Sequence, residues 1–516
     1  MNKIKHILNI LFPISIAFLL TISWVESICQ VSVSPGTWIT VKEGGSLMID
    51  TDLHIKSVAD SSGYLVDQTV DGDVTITGDI TVDRYMAPDV WHNVSSPVSN
   101  ETSSCFTGTD LVFWYNETQI WNDWNFGWIW YYGATGGPLM VFRGYDVYFD
   151  SSPVTVSYTA TGSETLNTGS YNYTVTLTDP TPNPSEIPSH LGWNLAGNPF
   201  PSPVDWLTAG GWDKSDINDV KYIWDGINDV YTIFIGGPSP VGINGGTQYI
   251  PSDQGFWVQA VTNGSLSINN STRIGNINGT PDFYKDYTPD YPLISLIANG
   301  NGKSDEVMVR FIEGTTVGFD RNYDASKLFS PSDNVPQLSI RTGQQSLALN
   351  TLPEVKNGMS VLLDFQCREQ GIFNLAISER TNLQDTFKLF LKDKLEDKLF
   401  RVNKDFAYHF QHYPTNSEER FILYINPSSH IINNSDGEKY FSVLTNGNRI
   451  TIIKNIPEDL TGEIEVFNLL GQVITREKYL NEEAVNMELN TTGGEYIIRI
   501  ITKGYIFTSK IIINKI

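Results

Sequence analysis

Ile464-Glu465-Val466-Phe467-Asn468-Leu469-Leu470-Gly471-Gln472-Val473 is followed by Met487-Glu488-Leu489 and Gly494-Glu495-Tyr496-Ile497-Ile498-Arg499-Ile500, and the chain then runs through Thr508-Ser509-Lys510-Ile511-Ile512-Ile513 to Ile516. Apolar and polar residues alternate in these stretches, the two-residue period of strands with one buried face. Gly471 stands where a turn needs a positive φ. Alternation points Tyr496 inward and Glu495 outward, and the last stretch is apolar enough that it must be paired or covered. Residues 439–516 therefore read as a small Ig-like sandwich of about seven short strands.

The same period runs through the rest of the chain, so the expected class is all-β and multidomain. A polar linker with Pro427, Asn433 and Asn434 precedes the last unit. Residues 285–428 hold alternating runs such as Glu306-Val307-Met308-Val309-Arg310-Phe311 and read as one β-sandwich. Asn382–Asp393 is the one place where a short helix competes with a strand. Residues 30–86 read as short strands between Gly and Asp turns, either a short β-solenoid or the edge of a sandwich.

Residues 87–272 carry an internal repeat. Trp91-His92-Asn93-Val94-Ser95-Ser96-Pro97 matches Trp193-Asn194-Leu195-Ala196-Gly197-Asn198-Pro199. Phe113-Trp114-Tyr115 matches Tyr222-Ile223-Trp224, and Gly144-Tyr145-Asp146-Val147 matches Gly255-Phe256-Trp257-Val258. Three landmarks in one order predict a duplicated, aromatic-rich β module. Eleven of the 13 Trp lie between Trp91 and Trp257.

Residues 1–29 have a basic start, an apolar run and a small-residue exit at Ser27-Ile28-Cys29, the pattern of a signal peptide cut before Gln30. A membrane anchor or a lipid-bearing Cys29 are the alternatives. Cys105 and Cys367 are the other cysteines, and nothing in their spacing says that they pair. The formal net charge is -24, and residues 30–272 hold 26 Asp/Glu against six Lys/Arg. That balance argues against nucleic acid and anionic membrane surfaces as partners.

The C-terminal pattern resembles the sorting domain of the type IX secretion system of Bacteroidetes. Gly471, Gly494, Tyr496 and Lys510 fall on the family's strand-ending turn, its Gly-x-Tyr strand and its Lys-opened terminal strand. The resemblance implies passage through the periplasm and recognition by the type IX machinery at the outer membrane. It further implies removal of the domain by a sortase-like peptidase, with the cargo joined to surface lipopolysaccharide or released. Upstream stretches, among them Gly192-Trp193-Asn194-Leu195-Ala196-Gly197-Asn198-Pro199 and Tyr323-Asp324-Ala325, also resemble segments of large Bacteroidetes exported proteins. These imply no activity.

The chain contains no Gly-x-Ser-x-Gly elbow, no His-Glu-x-x-His and no phosphate loop, and the sequence calls for no cofactor and no metal. His409 and His412 would face opposite sides of a strand. His92 with Ser95 and Ser96 reads as a turn shared by both repeats. Asn299, Asn301, Asp305 and Glu306 are weighed as oxygen ligands for Ca²⁺ against a plain hairpin loop. Trp114, Trp121, Trp124, Trp128 and Trp130 are the candidate glycan-binding residues, because aromatic faces stack on the apolar faces of sugar rings. The competing reading of these side chains is strand core. The expected function is a non-enzymatic exported surface protein of adhesin or glycan-binding type. A polysaccharide hydrolase with a carboxylate pair in residues 87–272 and a structural surface component are the alternatives.

Overall fold

The computed structural model describes residues 30–70, 73–120, 127–131, 137–150, 152–178, 191–275, 291–355, 359–383, 387–403, 406–425, 441–454, 461–479, 482, 484–502 and 506–514. The signal-peptide reading and the linker fall outside them. The described elements are strands with short 3-10 turns, so the protein is all-β. The chain divides into two compact units, one of residues 1–287 with 321–323, the other of 288–320 and 324–516.

The first unit starts as a solenoid. Gln30–Val33 lies parallel to Asp52–Ile55, which lies parallel to Ile80–Met86. Trp38–Val41 is parallel to Tyr64–Asp67, and Leu47–Ile49 to Val74–Ile76. Successive coils are tied by side chains 27 residues apart: Thr77 donates to Asp50 and the Asp79 amide to Asp52. Parallel rungs stack apolar residues in a column, so Val33, Leu53, Ile55, Ile80 and Val82 are all buried.

The solenoid does not end at residue 86. Ile80–Met86 pairs antiparallel with Val154–Ala160, and one core runs from Val33 through Val98, Tyr145 and Leu166. A domain boundary at 86 is therefore replaced by a continuous body.

The duplicated module is visible in strand order. The first sheet runs Trp91–Val94, Tyr145–Tyr148, Val112–Tyr115, Trp128–Trp130. The second runs Trp193–Gly197, Gly255–Gln259, Val220–Asp225, Val230–Ile235, with Val241–Ile243 added. Each landmark of the repeat opens or forms the equivalent strand.

The two halves exchange equivalent hydrogen bonds. The Ser95 amide donates to the Asp253 carbonyl (2.8 Å), and the Gly197 amide to the Phe142 carbonyl (3.1 Å). Val94 bridges Gln254, and Arg143 bridges Ala196. Phe142 and Asp253, each two residues before the motif glycine, both take left-handed φ values of 66° and 60°. A Cβ on Gly144 would lie 2.6 Å from the Ala196 carbonyl oxygen, and one on Gly255 2.9 Å from the Asn93 carbonyl carbon. Both glycines are present because backbone meets backbone there.

In the second unit ten strands follow one path from Lys398–Val402 to Ala407–His412, with Ala325–Ser326 paired to Gln345–Leu352 off that path. The sheet curls until its end strands touch through Phe400 and Tyr408, ring centroids 4.4 Å apart. It encloses a core that includes Leu296, Val309, Leu363, Phe373 and Leu423. The competing helix within Asn382–Asp393 gives way to a strand at Leu389–Asp393, because Leu389 and Leu391 share the core-facing side.

The last part forms seven described strands in two sheets: Phe441–Asn446, Arg449–Lys454 and Ala484–Glu488 against Val473–Tyr479, Gly462–Asn468, Gly494–Thr502 and Ile506–Ile513. Its own core contains Ile464, Val466, Tyr496, Ile498, Ile500 and Ile511. The outer side of its three-stranded sheet rests on the curled sheet, where Ile453, Leu444 and Ala484 meet Phe390, Leu399 and Tyr424.

Candidate functional site

In the first sheet of the duplicated module, opposite residues share a face. Asn93, Asp146, Phe113 and Trp130 form one row across the four strands. Trp91 and Tyr148 stand on the same face one step outward, and Tyr115 and Trp128 one step inward. Alternation puts Leu111 beside Phe113 on that side.

The inner step is packed against the second sheet. Trp257 is fully buried, with its ring edge-on to Tyr115 at 4.7 Å and to Trp128 at 5.4 Å. Its Nε1 donates to Asn93 Oδ1 at 3.2 Å. The outer step stays partly open. Trp91 meets Tyr148 at 5.2 Å and Phe113 at 5.8 Å, with ring planes tilted by 46° and 63°. Trp91, Phe113 and Tyr148 are half-buried, Leu111 is 39% exposed and Trp130 47%. The Trp130 Nε1 donates to the Asp110 carbonyl, which holds the indole in place.

Asp146 sits within this row and accepts from Asn93 Nδ2 at 2.8 Å. Loss of water pushes its carboxyl well above the usual carboxylate range, and the Asn93 hydrogen bond opposes the shift. On the other face Val94, Val112, Tyr145 and Val147 join the main core.

The structure thus separates the proposed glycan-binding residues. Trp114 points to the core side, half-buried beneath the Arg143 guanidinium at 4.5 Å. Trp128 is inter-sheet packing, and Trp130 is exposed. Trp121 and Trp124 lie outside the described residues. Sequence reasoning passed over Leu111, Phe113, Tyr148 and the open side of Trp91. The signal for them was the alternation Leu111-x-Phe113-x-Tyr115, which becomes informative only once the cross-strand register is known.

The remaining candidates disperse. His92 hydrogen-bonds the Ala87 carbonyl at 2.8 Å, and burial lowers its pKa. Ser96 closes a local turn with Val98. His409 contacts Asn374, whereas His412 is buried against Phe365 and Phe373. Of the oxygen ligands weighed against a hairpin loop, Asp305 is buried in an ion pair with Lys327 at 2.6 Å, and Glu306 accepts from Ser295 and Ser378. Asn301-Gly302 is the left-handed turn of a hairpin, so these oxygens do not converge. Among the described residues no three His, Cys, Asp or Glu side chains could hold a metal ion. Cys105 and Cys367 are both free thiols.

In the C-terminal sandwich Gly471 has a φ of 81°, left-handed as its turn requires. Gly494 opens the strand that places Tyr496 in the core, where its hydroxyl donates to the Thr492 carbonyl at 2.7 Å. Lys510 pairs with the outward Glu495 at 2.6 Å. Glu465 is held between Arg476 and Arg499, a charged ladder over three strands.

No curated protein matches this chain. The solved structures similar to it include the following two. One is an immunoglobulin-like β-sandwich protein of the DUF3244 family from Bacteroides vulgatus, with 16% identity over 16% of this chain and 94% of that one and a TM-score of 0.15. The other is the BSP domain of a biofilm-associated protein, with 10% identity over 67% of this chain and 81% of that one and a TM-score of 0.14. Residues 18–424, which end before the C-terminal sandwich, match the family model described as Domain of unknown function (DUF8693), and the chain belongs to that family.

Proposed function

We propose that this protein is a non-enzymatic, exported cell-surface or extracellular protein of adhesin or glycan-binding type, addressed by its C-terminal sandwich to type IX secretion. The observation that carries the reading is the self-contained terminal sandwich, which has its own core and the motif residues Gly471, Gly494, Tyr496 and Lys510 on its turn and strands. A sorting signal must be legible on an already folded cargo, and a separate sandwich meets that need. The partners on this reading are the type IX machinery, a sortase-like peptidase and, where the cargo is retained, surface lipopolysaccharide.

The test is removal of residues 439–516 in the native cell. The expected result is accumulation of the truncated chain inside the outer membrane. Full-yield appearance of the truncated chain outside the cell overturns the reading.

A polysaccharide hydrolase is the rival, favoured by one observation: the Asp146 carboxyl is raised toward the neutral form that a general acid needs. It predicts reducing-sugar release that Asp146→Asn abolishes.

A further inference from the structure

We infer that the open outer part of the first sheet's aromatic face, formed by Trp91, Tyr148, Leu111, Phe113 and Trp130 and called the row below, is the binding platform for a single chain of a neutral polysaccharide. This deepens the reading of an extracellular binding protein and rests on it for where the ligand is met.

The row crosses four strands, so at the usual strand spacing it spans about 14 Å. That length suits a short run of sugar rings better than one small molecule. It carries apolar aromatic surface beside a polar group: exposed Asp110 adjoins Leu111 and holds the Trp130 indole through its carbonyl, while Asp146 and Asn93 are paired with each other beneath the rings. Sugar recognition needs this combination: rings cover the C–H faces of the sugar, and amide and carboxyl groups meet its hydroxyls. The planes of Trp91, Tyr148 and Phe113 are tilted rather than coplanar. Tilted rings fit one flexible chain and not the flat face of a crystalline polymer.

Charge selects among glycans. With 26 acidic and six basic residues between 30 and 272, this part of the chain repels polyanions and leaves uncharged polymers as the matching class. Exposure of the row is also not imposed by the fold. In the second half the equivalent of Trp91 is Trp193, which is buried against Tyr222 at 4.8 Å. The same strand order closes one row and leaves the other open.

Electrophoresis of the purified full-length chain through gels containing mixed-linkage β-glucan, xylan, galactomannan or, as the anionic comparator, polygalacturonate tests the inference. Retardation is expected with at least one neutral polymer and not with polygalacturonate. Trp130→Ala and Leu111→Ser, both at exposed positions, are expected to weaken binding at least tenfold together while keeping the parent's melting temperature. The inference is overturned if no neutral polymer retards the chain, or if polygalacturonate does so equally. It is also overturned if the double variant binds as the parent does, or if ultracentrifugation shows a dimer that the double variant loses, since the row then joins two copies. Binding in a chain that is exported without residues 439–516 sinks the sorting reading alone. Export without binding sinks this inference alone.

Discussion

The two halves of the duplicated module share a strand order but not a solvent. In the first, a row of aromatic side chains is half open to water. In the second, Trp193, Tyr222 and Trp257 are sealed, and ionisable groups are sealed with them: Lys221 and Asp253 are both buried. The backbone of a sheet dictates which residues share a face, whereas what covers that face is decided by the partner laid upon it. Duplication supplied two equivalent faces, and only one was kept accessible.

The strongest way to break this comparison is at Trp257, the ring on which the halves meet. Trp257→Ala removes the contacts with Tyr115 and Trp128 and leaves the Asn93 Oδ1 without the indole donor. We expect a loss of about 3–5 kcal/mol in the unfolding free energy of the first unit, read by denaturant titration. An unchanged midpoint would mean that the halves do not depend on each other.

The buried ions give the next effect. Burial pushes the Asp253 carboxyl up to about 7, partly offset by Arg84, and pushes the Lys221 ammonium down to about 7. Between the unfolded carboxylate value of about 4 and pH 7 the folded state binds the extra proton, so stability falls as pH rises. Between pH 7 and the unfolded lysine value of about 10 the unfolded state binds the extra proton, so stability rises. The contribution of these two groups to the stability of the first unit should therefore pass through a minimum near pH 7, with limbs on the order of 2–4 kcal/mol, added to the fall with rising pH that the raised Asp146 and Glu101 carboxyls bring. Asp253→Asn should make the acid limb shallower and Lys221→Met the alkaline one, as measured by thermal melts from pH 4 to 10.

The motif glycines sharpen the comparison. A methyl group at Gly144 meets a carbonyl oxygen more closely than one at Gly255 meets its neighbour. Each substitution to Ala should cost about 1–3 kcal/mol, Gly144→Ala the more. At the small end, Trp130→Ala should change stability by less than about 1 kcal/mol, since nearly half of the side chain already faces water. A larger loss would place Trp130 among the packed residues of the second half.

Much of this was legible in the chain. Trp91 and Trp193, with Gly144 and Gly255, announced the duplication because a close backbone approach admits glycine and little else. Tyr496 and Glu495 declared their sides by alternation. The fate of the tryptophans was hidden for a physical reason: Trp128 is packed by a ring 129 residues further along, and local period says nothing about a partner so distant. The solenoid was one of two open readings because parallel and antiparallel strands share a two-residue period. Its continuation past Met86 depends on Val154–Ala160, and no turn near residue 86 hints at that. The partner of Asp305 was hidden because Lys327, its counter-ion, is 22 residues away.

The apolar seam under the C-terminal sandwich sets how firmly it is held to the curled sheet. Ile453, Phe390 and Leu399 are the side chains buried deeply there. At about 1.5–3 kcal/mol each, they offer a gross gain similar to the roughly 4–15 kcal/mol lost when two free bodies are held together. While the peptide is continuous the seam holds, because the partners are never far apart. If the C-terminal sandwich is the sorting domain proposed above, one cut in the peptide leaves dilution alone to separate it from the curled sheet.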